Sequence, residues 1–259
     1  MRSKKENKED KKKISDEPMT IAGHLREMRN RIAVCIVAFA VGFGFGLYFS
    51  PQIADGLTAM GTKYGYRFVF IAPQELIMVY FQLAMIAGVL LAAPFIAYEA
   101  YAYAVPAMSE NSRKSVAGAL LFGFGMFVVG ILFAYRISVP FMLYFLISLQ
   151  QGVSIEASIS IQEFVSFIMT VFIIFGVIFE MPVIVALMTS LGIMKPEWMK
   201  KARKIAIVVI FLVAAIITPP DVVSQIMVAV PMCALYELST WLSKMIYQKK
   251  ESKASAEEA

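Results

Sequence analysis

Phe175-Gly-Val-Ile-Phe-Glu-Met-Pro-Val183 places one carboxylate, Glu180, in a run with nothing else ionisable from Phe164 to Met194. A helix over this run carries Glu180 near the centre of a bilayer. An acid there costs roughly 2.5–3.5 kcal/mol unless it is paired, hydrated or protonated. Pro182 adds a second difficulty, because it has no N–H to donate to the carbonyl of Ile178 one turn back. An acid and a free carbonyl at similar depth make a polar notch. Lipid tails offer neither of them a partner, so the segment is expected to line a cavity or a helix contact. A contact acid held protonated by its neighbours is the alternative for Glu180.

The remaining composition agrees with a membrane setting. A hydrophobic share of 59% and a single His in 259 residues exclude an ordinary soluble domain. Mean hydropathy is +0.70. The first eighteen residues are charged and polar, and no short apolar region with a small-residue cleavage site precedes the first span, so no cleavable secretory signal is expected. Cys35 and Cys233 fall inside apolar runs and imply no disulfide framework. The pI of about 9.1 does not point to nucleic acid, because the basic residues gather at the ends of apolar runs, where they report topology.

Working outward from Glu180, the chain reads as all-α with six transmembrane helices. Residues 1–18 form a disordered charged tail, 19–243 a single six-span domain and 244–259 a disordered C-terminal tail. Met19 to Arg31 places Ile21, Leu25 and Met28 at helical spacing and predicts an amphipathic surface helix leading into the first span. Span one runs Ile32 to Phe49 and is ended by Ser50-Pro51, and its Gly42, Gly44 and Gly46 include a Gly-x-x-x-Gly pair that reads as a close-packing face. Pro51 to Glu75 is too polar to span and reads as an extramembrane loop. Span two runs Leu76 to about Ala104, interrupted by Pro94. Its Glu99 lies near an interface among tyrosines, where ordinary hydration is the default. Span three begins at Val116, and Arg136 and Pro140 interrupt its continuation to Leu149.

Gln150 to Gln162 reads as a polar loop before span four, which carries Glu180. Spans five and six, Ile205–Ile217 and Val222–Leu235, have thirteen and fourteen residues. Each covers roughly 20 Å, short of a hydrocarbon core near 30 Å, so the bilayer is expected to thin around them. Six spans put 21 of 24 Lys and Arg on one face, which makes both termini cytoplasmic.

Enzyme chemistry finds no support. His24 is the single histidine and lies outside the spans, and there is no zinc motif, P-loop or dinucleotide fingerprint. No catalytic residue, metal or cofactor is expected. A protein that binds, conducts or scaffolds remains. Asp221 either caps span six or contacts a partner, and Gln225, one turn on, needs a hydrogen-bond partner.

Several stretches in order carry a family resemblance: His24-Leu-Arg-Glu-Met-Arg-Asn-Arg31, Ala92-Ala-Pro-Phe-Ile-Ala-Tyr98, Val105-Pro-Ala-Met108, Phe175 to Val183, and Thr218-Pro-Pro-Asp-Val-Val-Ser-Gln225. With these the chain resembles the TatC family, the multi-span receptor component of the twin-arginine (Tat) protein translocase. The resemblance implies a receptor for twin-arginine signal peptides of folded cargo, with export driven by the proton-motive force. It implies a signal-peptide site at Glu27, Arg29, Tyr103 and Glu110, in which carboxylates pair with guanidinium groups. The family shows an acid directly before the basic pair of the first cytoplasmic loop. This chain has Ser112 before Arg113-Lys114, and Glu110 is the available substitute.

The resemblance also implies a concave, lipid-open cavity with Glu180 and Pro182. It implies docking of single-span TatA and TatB-type partners at Thr218, Asp221 and Gln225, and a homo-oligomer within the receptor complex. Two other readings stand beside it. A proton-coupled small-solute carrier would use Glu180 as its proton site and should show an internal repeat with matching broken helices. A purely structural scaffold would leave Glu27 and the cytoplasmic loop without a task.

Overall fold

The computed structural model describes residues 21–105, 110–149, 158–218 and 221–257, so the expected tail over 1–18 lies outside the described residues. The first element, α1 (Ile21–Lys63), departs from the expected layout, because Ser50-Pro51 does not end it. Pro51 removes the donor for the carbonyl of Leu47. The Ser50 hydroxyl donates to that same oxygen at 2.8 Å. With the freed carbonyl satisfied, the helix runs three turns further, and the loop expected over Pro51–Glu75 shrinks to the residues after Lys63. Those include β1 (Arg67–Val69).

Helix α2 (Glu75–Ala104) lies along α1 and keeps Pro94 within it. The two backbones approach where side chains are smallest. A Cβ on Gly42 would stand 3.0 Å from the Gly88 carbonyl oxygen, and one on Gly46 would stand 2.8 Å from the Cα of Ala84. Gly44 meets nothing within 4 Å, so the packing face is Gly42 and Gly46, four residues apart.

Helix α3 (Glu110–Phe133) passes through a π-helical turn, Ala134–Ser138, into α4 (Val139–Ser148). This turn is the interruption expected at Arg136 and Pro140. The Val139 N–H reaches back to Ala134, and the wider turn accommodates Pro140 without breaking the span.

The polar stretch before span four holds β2 (Ser158–Ser160), which pairs in parallel with β1, Arg67 opposite Ser158. Three-residue strands carry too little periodicity to be read from sequence, and this pair was not expected. Ser160 caps α5 (Ile161–Phe179) by accepting from the N–H groups of Gln162 and Glu163. Its hydroxyl also donates to Glu75 Oε2 at 2.9 Å. The other Glu75 oxygen accepts from the N–H of Ile71 and of Ala72, each at 3.2 Å. This buried carboxylate ties α2, the small sheet and α5 together.

The chain closes with α6 (Met181–Ser190), α7 (Pro196–Ile217) and α8 (Val222–Glu257). Both helices extend past the short spans expected at Ile205–Ile217 and Val222–Leu235, and α8 is long and apolar enough over Val222–Ser252 to cross a membrane. Helix α7 begins within the basic stretch, and α8 passes residue 244 unbroken, so the stretch expected as a disordered tail is helical as far as Glu257. Among the described residues five helical segments are long and apolar enough to cross a membrane. With α7 the chain is an all-α, six-span membrane protein.

The core lies around α5, where Phe164, Ile168 and Phe175 are buried against Met142 and Leu143 of α4. Gly130 lets α3 come close: a Cβ there would stand 2.5 Å from the Phe175 carbonyl oxygen. Large apolar side chains cover the outer faces. Leu121 is 78% exposed and Ile216 77% exposed, as a chain solvated by lipid requires.

Candidate functional site

Glu180 does not sit in the middle of one helix, as the sequence reading had it. It stands at the junction of α5 and α6. Its N–H donates to the Val177 carbonyl at 3.1 Å, and its own carbonyl accepts from Val183 at 3.0 Å and Ile184 at 2.9 Å. Pro182 falls in the first turn of α6, where a missing N–H costs nothing, so the proline marks a helix start. It is fully buried and does not line the cavity described next.

An open hollow of about 330 Å³ lies between α2, α3 and the α5–α6 junction. Leu90, Ala93, Ala97, Phe124, Phe127 and Leu187 give it apolar walls, and Glu180 is the single ionisable residue among its lining. The carboxylate lies against Gly123, where a Cβ would stand 2.8 Å from Oε2. Among the described residues Glu180 has no hydrogen-bonding or ion-pairing partner for its side chain. An apolar hollow with one acid at depth can take an apolar helical segment alongside water or a polar group facing the acid.

A second cluster joins α1 to α2. Arg31 Nε and Nη2 donate to Glu27 Oε1 at 3.0 and 2.7 Å. Arg31 Nη1 donates to Glu99 Oε2 at 2.7 Å. Glu27 was expected as a site residue, whereas Arg31 and Glu99 were not. The i,i+4 spacing of Glu27 and Arg31 was a readable signal, but nothing in the sequence linked either to Glu99.

Arg29 is exposed one residue from Asn30, to whose Oδ1 it donates at 3.5 Å. Tyr103 is half-buried near the end of α2. Glu110 opens α3, and its side chain lies outside the described residues. Nearby, Arg113 Nε donates to the Val105 carbonyl at 3.1 Å, and the Tyr101 hydroxyl donates to the Arg113 carbonyl at 3.2 Å. These bonds pin the start of α3 to the end of α2.

The third group lies at the α7–α8 hairpin. Thr218 is buried and its hydroxyl donates to the Ala214 carbonyl at 2.9 Å. Asp221 Oδ1 accepts from the Ser224 N–H at 2.6 Å, which is the capping role foreseen for it. Gln225 finds its partner within the chain, donating through Nε2 to the Phe211 carbonyl at 3.0 Å. Asp221 Oδ2 and the Ser224 hydroxyl are buried without a partner among the described residues. Ser224 was not singled out from sequence.

Comparison with known proteins gives one answer at three levels. The family model of Sec-independent protein translocase protein (TatC) matches residues 23–231. Sec-independent protein translocase protein TatC of Halalkalibacterium halodurans is 32% identical over 236 residues, covering 91% of this chain and 93% of that protein. TatCy of Bacillus subtilis is 32% identical over 239 residues, covering 92% and 94%. The fold is also similar to a crystal structure of the twin-arginine translocase receptor TatC, with a TM-score of 0.75 and 31% identity over 86% of this chain and 99% of the other. A multi-pass membrane protein with these helices, this hollow and these matches belongs to the TatC family of Sec-independent protein translocase proteins.

Proposed function

We propose that this chain is the signal-peptide receptor and assembly platform of a Tat translocase, exporting folded proteins with the proton-motive force. The observation that carries this reading is the layout along α2. Leu90, Ala93 and Ala97 wall an apolar hollow with Glu180 at depth, and two residues beyond Ala97 Glu99 joins the carboxylate cluster with Glu27. A twin-arginine signal peptide has matching parts, charged arginines followed by an apolar segment. The arginines engage Glu27 near Arg29 and Tyr103, with Glu110 as the loop acid the family pattern requires. The apolar segment lies in the hollow facing Glu180, whose position is set by the helix restart at Pro182.

The hairpin residues Thr218, Asp221 and Gln225 form the docking site for single-span TatA and TatB-type proteins. Asp221 Oδ2 and the Ser224 hydroxyl support this, being buried polar atoms that a polar residue on a partner helix would satisfy. Both termini are cytoplasmic in this reading, which the concentration of Lys and Arg on one side supports. Copies of the chain assemble within the receptor complex, and lipid surrounds the remaining faces.

The test is a pull-down or crosslinking measurement with the purified full-length chain in lipid nanodiscs. A signal peptide carrying Arg-Arg is retained and its Lys-Lys counterpart is not, and Glu27→Ala loses the Arg-Arg peptide while still folding. Equal retention of both peptides by the wild-type protein overturns the receptor reading.

A further inference from the structure

Glu99 joins Glu27 through a guanidinium that belongs to the chain itself. Arg31 lies between the two acids at 2.7 Å from each, with side-chain exposures of 25% for Glu27 and Arg31 and 18% for Glu99. Two carboxylates around one guanidinium carry a net charge of −1. The bonds use Oε1 of Glu27 and Oε2 of Glu99, so each acid keeps one oxygen without a hydrogen bond among the described residues.

We propose that Glu27 and Glu99 are the arginine-binding acid pair of this chain, and that Arg31 is an internal stand-in which an incoming signal arginine displaces. This rests on the signal-peptide reading above and moves the second acid from the loop to α2. The site holds a guanidinium already, in the geometry that a carboxylate pair favours. Leaving two part-buried carboxylates without a cation is costly, so the resting site needs an occupant. Exchanging one guanidinium for another keeps the number of pairs constant.

Two arginines in tandem can give each acid a guanidinium of its own once Arg31 swings away, whereas Arg31 is shared between the two. The uncovered oxygens and the net negative charge give the approaching peptide a place to start within an otherwise basic stretch of chain. A lysine lacks the planar fork that spans the two acids, so the site prefers arginine. Helices α1 and α2 also hold the acids in register, through the close contacts of Gly42 and Gly46 with Gly88 and Ala84.

The experiment measures binding of a fluorescent Arg-Arg signal peptide to the full-length chain in nanodiscs, with the Lys-Lys peptide as control. Glu99→Gln weakens the Arg-Arg peptide about tenfold or more, and by more than Glu110→Gln does. Arg31→Gln changes binding in the opposite direction and tightens it, because it removes the competitor and keeps both acids. A merely structural triad moves both variants the same way, since each breaks the same bridge. Weakening by Arg31→Gln, or a greater loss from Glu110→Gln than from Glu99→Gln, overturns the proposal while the receptor reading stands. If Glu99→Gln does not fold, the sign of the Arg31→Gln effect decides alone. Failure of the wild type to prefer Arg-Arg overturns the receptor reading and this proposal with it.

Discussion

The carboxylate of Glu180 rests against Gly123, so near that a Cβ on the glycine would stand 2.8 Å from Oε2. The acid on the α5–α6 junction therefore has its place in the hollow because α3 carries no side chain there. The charge and the space that holds it come from different helices, 57 positions apart in the sequence.

A bulky residue at that point closes the hollow. Gly123→Leu is expected to abolish most export of a twin-arginine reporter while leaving the protein in the membrane at normal levels, because the added atoms enter open space and meet the movable end of Glu180. Gly125, which meets nothing within 4 Å, is the control, and Gly125→Leu should keep export. Export assays on both variants, with immunoblots for abundance, make the comparison.

At Glu180 itself, Gln keeps the shape and much of the polarity of the acid, while Ala keeps neither. Glu180→Gln should retain a larger share of export than Glu180→Ala, and the Ala variant should not be destabilised, since it deletes an acid that has no side-chain partner among the described residues and that costs roughly 2.5–3.5 kcal/mol at membrane depth. Export by Glu180→Ala at the wild-type rate would remove the acid from the mechanism.

Continuity of α1 through Pro51 depends on the Ser50 hydroxyl. Ser50→Ala leaves the Leu47 carbonyl without that donor in part-buried surroundings and should destabilise the protein by about 1 kcal/mol. Thermal unfolding in detergent reads this directly. Ser50→Thr, which restores a hydroxyl, should recover part of the loss.

The α1–α2 crossing makes a sharper prediction. Gly46→Val drives its Cβ into the Ala84 backbone, which cannot rotate away, and should cost about 1–3 kcal/mol or more through forced helix separation. Gly44→Val meets open space and should unfold at the wild-type temperature. Equal losses at the two positions would contradict the packing described.

What the sequence showed and what it hid follow from the kind of signal involved. Glu180 was legible because a lone charge in an apolar run is costly wherever the helices go. The Gly42 and Gly46 contact was legible because small residues four apart share one helix face. Ser50-Pro51 misled, since a proline stops a helix unless a neighbouring side chain takes over the orphaned carbonyl, and that is a matter of rotamer. The break at Glu180 was hidden because Pro182 suits a helix start as well as a kink. Glu99 was read as an ordinary hydrated acid because its bond to Arg31 spans 68 positions and depends on the register of two helices. Gly123 could not be told from Gly118 or Gly125 on the same helix without knowing which face meets α5 and α6.

The measurement closest to the central claim is site-specific photocrosslinking from Phe124, in the wall of the hollow, with Ile216 on the lipid-exposed face of α7 as control. The account predicts that a precursor with an Arg-Arg signal peptide crosslinks through its apolar segment to Phe124, and that its Lys-Lys counterpart does not. Crosslinks at Ile216 with none at Phe124, or equal labelling by both precursors, would contradict it.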